Sequence, residues 1–253
     1  MTGTKTVITA GTLATALMFG GIFLYLNFAS IAKNLTEKIA TQALGVQVAI
    51  SGMEVSLPEK QVKVRGVRVA NPKGYKEPYA LTLGSIDISL SEISEGLIGF
   101  NEISVSDAAV NVEVTEHGTN LNDIRNYAQA NRAEKPAEAQ RKVIIKSFKL
   151  GQTTINPAVT LVERELSPIT MPPLEMKGIG ERENGILARE AIVQIWTHVS
   201  QKVSTKAAQQ GVLDGLSSDQ LKEVGASGLD NFKNQLGEEL DGLGDSLKGV
   251  FGD

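Results

Sequence analysis

The stretch Gln61-Val62-Lys63-Val64-Arg65-Gly66-Val67-Arg68-Val69-Ala70 decides the fold. Apolar and polar residues alternate on both sides of a glycine, the period of a strand with one face in a core and the other in water. Across Gly66 the parity changes, so Val62 and Val64 give way to Val67 and Val69. A glycine at such a flip predicts a β-bulge and a twisted or curved sheet.

The same period extends in both directions. Upstream it runs through Val46, Val48 and Ile50, then Val55 and Leu57. Downstream, Leu81 and Leu83 yield to Ile86, Ile88 and Leu90 across Gly84, a second flip. Between these strands Asn71-Pro72-Lys73-Gly74-Tyr75 reads as a turn, because Pro fixes φ and Gly admits positive φ. Ile103, Val105, Val110, Val112 and Val114 continue the alternation as far as Glu116-His117-Gly118. It resumes in Val143, Ile145, Phe148 and Leu150, then in Ile155, Val159 and Leu161. Ser167 to Met176 contains three prolines, which lack backbone donors and predict an extended edge segment.

Helical spacing appears on both sides of the strands. Ile31, Leu35 and Ile39, with Lys33, Glu37, Lys38 and Gln42 between them, predict an amphipathic stem closed by Gly45. Asn120 is placed to cap a short helix from Leu121 to Ala133, followed by a polar insert, Asn131 to Gln140, that contains Pro136. Leu187 to Gln210 returns to helical spacing through Ala188, Ile192, Ile195, Val199 and Val203, and is the chain's own candidate to cover the apolar face. The fold expected is α+β: an N-terminal transmembrane helix, then a curved, mainly antiparallel β-sheet forming a half-barrel or groove, with a covering C-terminal helix.

Ahead of the stem, Val7 to Phe28 contains no charged residue. At about 1.5 Å per residue a helix of that length covers roughly 33 Å, enough for the hydrocarbon core of a bilayer. Its anchor residues are Val7, Leu13, Leu17, Phe19, Ile22, Phe23, Leu24, Leu26 and Phe28. The leader is nearly uncharged and Phe28-Ala29-Ser30 is a poor cleavage site, so an uncleaved signal anchor is expected. Three regions follow: an anchor and stem over 1–45, a β-rich region over 46–210 with a helical insert near 120–140 and a closing helix over 187–210, and a tail over 211–253. The tail places Leu229, Phe232, Leu236, Leu240, Leu243, Leu247 and Val250 at steps of three and four, among many glycines and an excess of acidic residues. Such marginal helices suit folding on a partner or self-association.

Composition narrows the function. The 253 residues are 42% hydrophobic and 21% charged with a net charge of −4, a balance without the basic excess of nucleic-acid binders. Cysteine is absent, which excludes disulfides, thiolate metal sites and cysteine nucleophiles. Arg125, Arg132, Lys135, Arg141, Lys142, Lys146 and Lys149 make a locally basic segment, read as a solvated face or as a patch for anionic headgroups. His117 and His198 lack partners at ligand or triad spacing, and no phosphate-binding loop or G-x-S-x-G elbow is present. Asp87, Glu92, Glu95, Glu102 and Asp107 fall at strand positions or turns on the face expected in water. No catalytic residue, metal site or cofactor is expected, and the chain reads as a non-enzyme.

Several local patterns occur together in order. A stem ending in Leu44-Gly45-Val46 precedes Gly66-Val67-Arg68-Val69-Ala70-Asn71-Pro72-Lys73-Gly74-Tyr75. Leu83-Gly84-Ser85-Ile86-Asp87-Ile88 and Asn120-Leu121-Asn122-Asp123-Ile124 follow, and then Met171-Pro172-Pro173-Leu174-Glu175-Met176-Lys177-Gly178-Ile179-Gly180 before a helix. From about Val7 to Gln210 this order resembles the small AsmA-like proteins of Gram-negative bacterial envelopes. The resemblance implies a single-pass anchor in the bacterial inner membrane with the bulk of the chain in the periplasm. It also implies a curved sheet whose concave apolar face, in long relatives and in the similar bridge-like lipid-transfer proteins, carries acyl chains between membranes.

The expected function is therefore a membrane-anchored lipid-binding or lipid-transfer module with membrane lipid as its partner. The expected groove lining is Val62, Val64, Leu81, Leu83, Ile86, Ile88, Ile103, Val105, Val110, Val112 and Val114. The alternative is a non-catalytic envelope scaffold that meets other envelope proteins, or itself, through residues 211–253. The two readings differ over what covers the apolar face: lipid, or the helix at 187–210.

Overall fold

The computed structural model describes residues 29–94, 96–116, 118–130, 142–160 and 166–212. The expected anchor Val7–Phe28, Glu95, His117, the insert around Pro136 and the tail beyond 212 lie outside the described residues, as do Arg132, Lys135, Arg141 and Leu161. Among the described residues no helix is long and apolar enough to cross a membrane.

Helix α1 covers 29–44 and stops at Gly45, whose φ of +71° suits a residue without Cβ and whose N–H donates to the Thr41 carbonyl at 2.9 Å. The strands are β1 (Val48–Ser56), β2 (Gln61–Ala70), β3 (Tyr79–Ile93), β4 (Leu97–Thr115) and β5 (Gly118–Thr119). Helix α2 (Asn120–Ala130) precedes β6 (Lys142–Leu150), β7 (Thr153–Val159), β8 (Ile169–Met171), β9 (Leu174–Ile179) and β10 (Ile186–Leu187), and α3 (Ala188–Gln209) follows. The predicted proline segment splits into β8 and β9 around Pro172 and Pro173, and each half takes an outer position, β8 against β7 and β9 against β6.

The architecture is α+β, with an open, curved sheet ordered β1-β2-β3-β4-β6-β10. Most of it is antiparallel, as expected, but the sheet is mixed: β4 pairs in parallel with β6 along its first half and with β7 along its second. Parallel pairing requires the chain to return to the start of β4, and the segment containing α2 makes that return.

The parity flips are wider than two glycines. In β1, Val48 and Ile50 lead to Met53 and Val55; in β4, Ile103 and Val105 lead to Ala108 and Val110; beyond Gly151, Phe148 and Leu150 lead to Thr153 and Ile155. These flips lie abreast. Ile50 pairs with Val67 and Gly52 with Arg65, Val67 with Leu83 and Arg65 with Ser85, Leu83 with Ala108 and Ser85 with Ser106. Val105 and Ala108 then pair with Leu150 and Thr153. Partner numbers run across the row without a slip, so the bulges expected at Gly66 and Gly84 are not there; the register shifts fall at Val69/Ala70 and around Leu90. Along this row β1, β2, β3 and β4, and the step from β6 to β7, reverse their facing at the same level, and the apolar side chains stay on one side.

The row also explains its glycines. Gly66 has φ +61°, and a Cβ there would lie 2.8 Å from the Ser51 Cβ; a Cβ on Gly84 would lie 2.7 Å from that of Asp107, itself at φ +54°. The opposite face of the sheet is polar, with Arg65–Glu54 at 3.2 Å, Lys63–Asp87 at 3.3 Å and a Lys149–Glu102 pair. These pairs are exposed and contribute solubility more than stability.

We predict that Gly84→Ala costs about 1–3 kcal/mol by crowding and that adding Asp107→Gly recovers most of the loss. Gly66→Ala with Ser51→Gly should recover less, because a left-handed residue with a Cβ retains roughly 1–2 kcal/mol of strain. Urea denaturation followed through Trp196, the sole tryptophan and a buried one, measures both; a Gly84→Ala variant as stable as the parent contradicts the account.

Candidate functional site

All of the expected groove residues belong to one apolar face, but they are unequally covered. Val64, Val105, Val110, Val112 and Val114 are buried, whereas Val62, Leu81, Leu83, Ile86, Ile88 and Ile103 are only partly so. The helices account for the division. Helix α3 packs on β4, β6, β7 and β8 and against α2, which itself lies on β4. Leu121, Ile124 and Ala128 of α2 join the main cluster with Val110 and Val112, while Val114 packs with Ala207 at the end of α3. The expected closing helix therefore closes one side of the sheet. Along β3 the side chains of Leu81, Leu83, Ile86 and Ile88 remain partly open, flanked by Val62 on β2 and Ile103 on β4. Met53 and Phe100 extend the same surface. From Leu81 to Ile88 this strip spans roughly 23 Å at about 3.3 Å per residue, the scale of one extended long-chain acyl group.

The other side of the strip is bounded by α1. Its packed residues are Ala40, Ala43 and Leu44 together with two polar side chains that satisfy the edge of β1. The Val48 N–H donates to Thr41 Oγ1 at 3.0 Å and the Ile50 N–H to Glu37 Oε1 at 2.6 Å. An open edge would be a template for foreign strands, so α1 protects as well as packs. Ile31 and Leu35, read as part of the apolar stripe of an amphipathic stem, are about half exposed. Burial pushes the Glu37 carboxyl up, but the Ile50 N–H and the Lys33 ammonium 3.1 Å away outweigh it and hold the carboxyl below its ordinary value.

A buried polar network fixes the far end of the sheet. The carboxylate of Glu113, fully buried, accepts from Asn71 Nδ2 at 3.0 Å, the Lys76 N–H at 2.7 Å and the Glu77 N–H at 2.9 Å. Asn120 accepts the Glu113 N–H at 3.0 Å and donates to Asn71 Oδ1 and to the Asn111 carbonyl. Tyr75 donates to Asp123 at 2.7 Å; burial first, and then this carboxylate, hold its phenol well above the usual range. The turn at 71–77 and the start of α2, far apart in sequence, are thus one unit. Nothing in the alternation around Val112 and Val114 distinguishes Glu113 from a solvated residue; the concentration of asparagines at 71, 111 and 120 is the signal that was available.

No acid–base constellation accompanies the strip. Asp87, Glu92 and Asp107 are exposed, and Glu102 is paired with Lys149. His198 lies partly buried on α3, where burial and then Lys202 lower its affinity for a proton. Among the described residues no group of three His, Asp or Glu side chains is placed to hold a metal. Of the basic segment, Lys149 faces Glu102, Lys146 donates to Asn101 at 3.2 Å, Arg125 donates to Asn122 within α2, and Lys142 is exposed. A cavity of about 550 Å³ lined by Lys146, Lys177, Arg182, Glu181, Glu183 and Gln194 is polar, and none of the expected groove residues lines it. Among the described residues the strip is lined by apolar side chains. Comparison with protein-family models, with curated proteins and with solved structures finds no match.

Because the Glu37 carboxyl titrates below its ordinary value of 4.5, its contribution is present above that pH and is lost as pH falls through the lower, folded value. Hydrogen-exchange protection of the Ile50 amide should therefore collapse on acidification below about pH 4.5, while that of Val48, held by a hydroxyl, follows only global stability. In Glu37→Gln the difference between the two amides should no longer depend on pH; a persisting dependence would assign it elsewhere.

Proposed function

We propose that this protein is a membrane-anchored, non-enzymatic lipid-binding or lipid-transfer module that holds an acyl chain along the inner face of β3. The observation that carries the proposal is the unequal cover of one apolar face: α1 seals its β1 edge, α2 and α3 seal the β4 side, and Leu81, Leu83, Ile86 and Ile88 between them remain partly open. An apolar surface of that kind lowers its free energy by exchanging water for hydrocarbon, roughly 0.8 kcal/mol for each methylene buried. No hydrogen bond to the chain is needed, which fits a carrier that must release what it binds.

The uncharged run Val7–Phe28 supports an anchor beside the lipid source, and the motif order resembling AsmA-like envelope proteins supports the inner membrane with the β-rich part in the periplasm. With strands about 4.8 Å apart, the width of this sheet falls short of a periplasm. The module on this reading binds lipid locally or forms one segment of a longer path.

Native mass spectrometry with lipid extraction on the full chain tests the proposal. The parent should carry phospholipid at defined stoichiometry, and Ile86→Asp with Ile88→Asp should lose it while the far-ultraviolet circular dichroism is retained. Leu83→Trp, which fills the strip without charging it, should lose it as well. Equal lipid in the parent and in both folded variants would sink the proposal.

A further inference from the structure

Five large apolar side chains stand out as exposed among the described residues: Ile31, Leu35, Leu57, Ile93 and Tyr127, each 45–51% accessible. Their placement is uneven. Leu57 sits at the turn joining β1 to β2, and Ile93 at the end of β3 before its turn into β4. These turns lie at the same end of the sheet and are tied together: the Leu90 N–H donates to the Lys60 carbonyl at 2.8 Å and Lys60 Nζ to the Ser91 carbonyl at 3.3 Å.

Helix α1 leads toward that end. Thr41 meets Val48 and Glu37 meets Ile50, so α1 runs antiparallel to β1, and its start advances along the strand toward Ser56 and Leu57. At about 1.5 Å per helical residue against about 3.3 Å per strand residue, residue 29 reaches the level of Glu54. The uncharged run Val7–Phe28 joins the chain at that point. Ile31 lies close to the same level on the outer side of α1, and Leu35 sits one turn back on the same side. The fifth, Tyr127, lies on α2, whose start is tied to the 71–77 turn at the opposite end of the sheet; that end has none of the other four.

We propose that the end of the sheet carrying Leu57 and Ile93 is a membrane-docking surface. These two side chains and Ile31 enter the boundary between headgroups and acyl chains of the bilayer that holds the N-terminal run, and the strands stand away from it. Around the two turns Glu59, Glu92 and Glu95 outnumber Lys60, so docking proceeds by apolar burial and does not draw on anionic lipid. The inference rests on the reading of Val7–Phe28 as a bilayer-inserted segment, and not on whether the β3 strip carries cargo. Its consequence for that strip is orientation, because Ile86 and Ile88 then lie on the membrane side of the Gly66–Gly84 row.

The chain has no cysteine, so Glu59→Cys and Lys73→Cys each give one labelling site that leaves Leu57 and Ile93 in place. The full chain, labelled with an environment-sensitive fluorophore, is reconstituted in phosphatidylcholine vesicles containing a nitroxide-headgroup lipid, and its flotation with the vesicles is recorded. Docking predicts flotation, loss of most of the fluorescence from the label at position 59, little loss at position 73, and recovery at position 59 when Leu57→Glu and Ile93→Glu are added. A floating chain whose label at 59 is unquenched, or no more quenched than that at 73, overturns the docking surface and leaves the anchor standing. A chain that does not float overturns both.

Discussion

Four adjacent strands, β1 to β4, and the step from β6 to β7 beside them reverse the facing of their side chains along one transverse row, and the sheet keeps a single apolar face there only because they do so together. A reversal in one strand alone would send half of its valines and isoleucines into water. Gly66 and Gly84 permit the common reversal by leaving room for Ser51 and Asp107, and the left-handed φ of Gly66 and Asp107 turns the backbone through it. The apolar surface thereby runs from Val69 and Leu81 at one end to Val62 and Ile88 at the other without a polar break.

Cover is then allotted to that surface unevenly. Helix α3, fixed at its end by Ala207 against Val114, accounts for the strands from β4 outward, and α1 is held at the opposite edge by the Glu37 and Thr41 bonds to β1. The Glu113 network locks the 71–77 turn onto the start of α2 and so sets where α2 crosses β4. None of these three devices reaches the inner face of β3. A strip of partly open hydrocarbon is what remains.

The strands, the stem, α2 and the closing helix were legible from period alone, because a core imposes two distinct spacings on the residues that face it. The flips at Gly66 and Gly84 were legible because a glycine marks them within a continuous run; those at Ser51-Gly52 and Ser106-Asp107 were not, since two adjacent small or polar residues read as a break between runs. Strand partners are invisible to periodicity, so only the pairing showed that the flips coincide and replaced the expected bulges by a concerted row. The parallel step from β4 to β6 had a signal in the helix Asn120–Ala130 that lies between them. Helical spacing identified the apolar stripe of the stem but says nothing of what it meets: Ile31 and Leu35 stay half exposed, and α1 attaches through Ala40, Ala43, Leu44, Glu37 and Thr41. The residues expected to line a groove lie on one face, but their division into buried and open required the helices.

The central claim is that the inner face of β3 meets lipid, while the same face of β4 is closed core. Photo-crosslinking in cells, with a benzophenone side chain placed once at Ile86 and once at Val112, tests it most directly. The account predicts phospholipid adducts at Ile86 and only intrachain products at Val112. Intrachain products alone at both positions would mean that the strip is filled by the protein itself and would contradict the account.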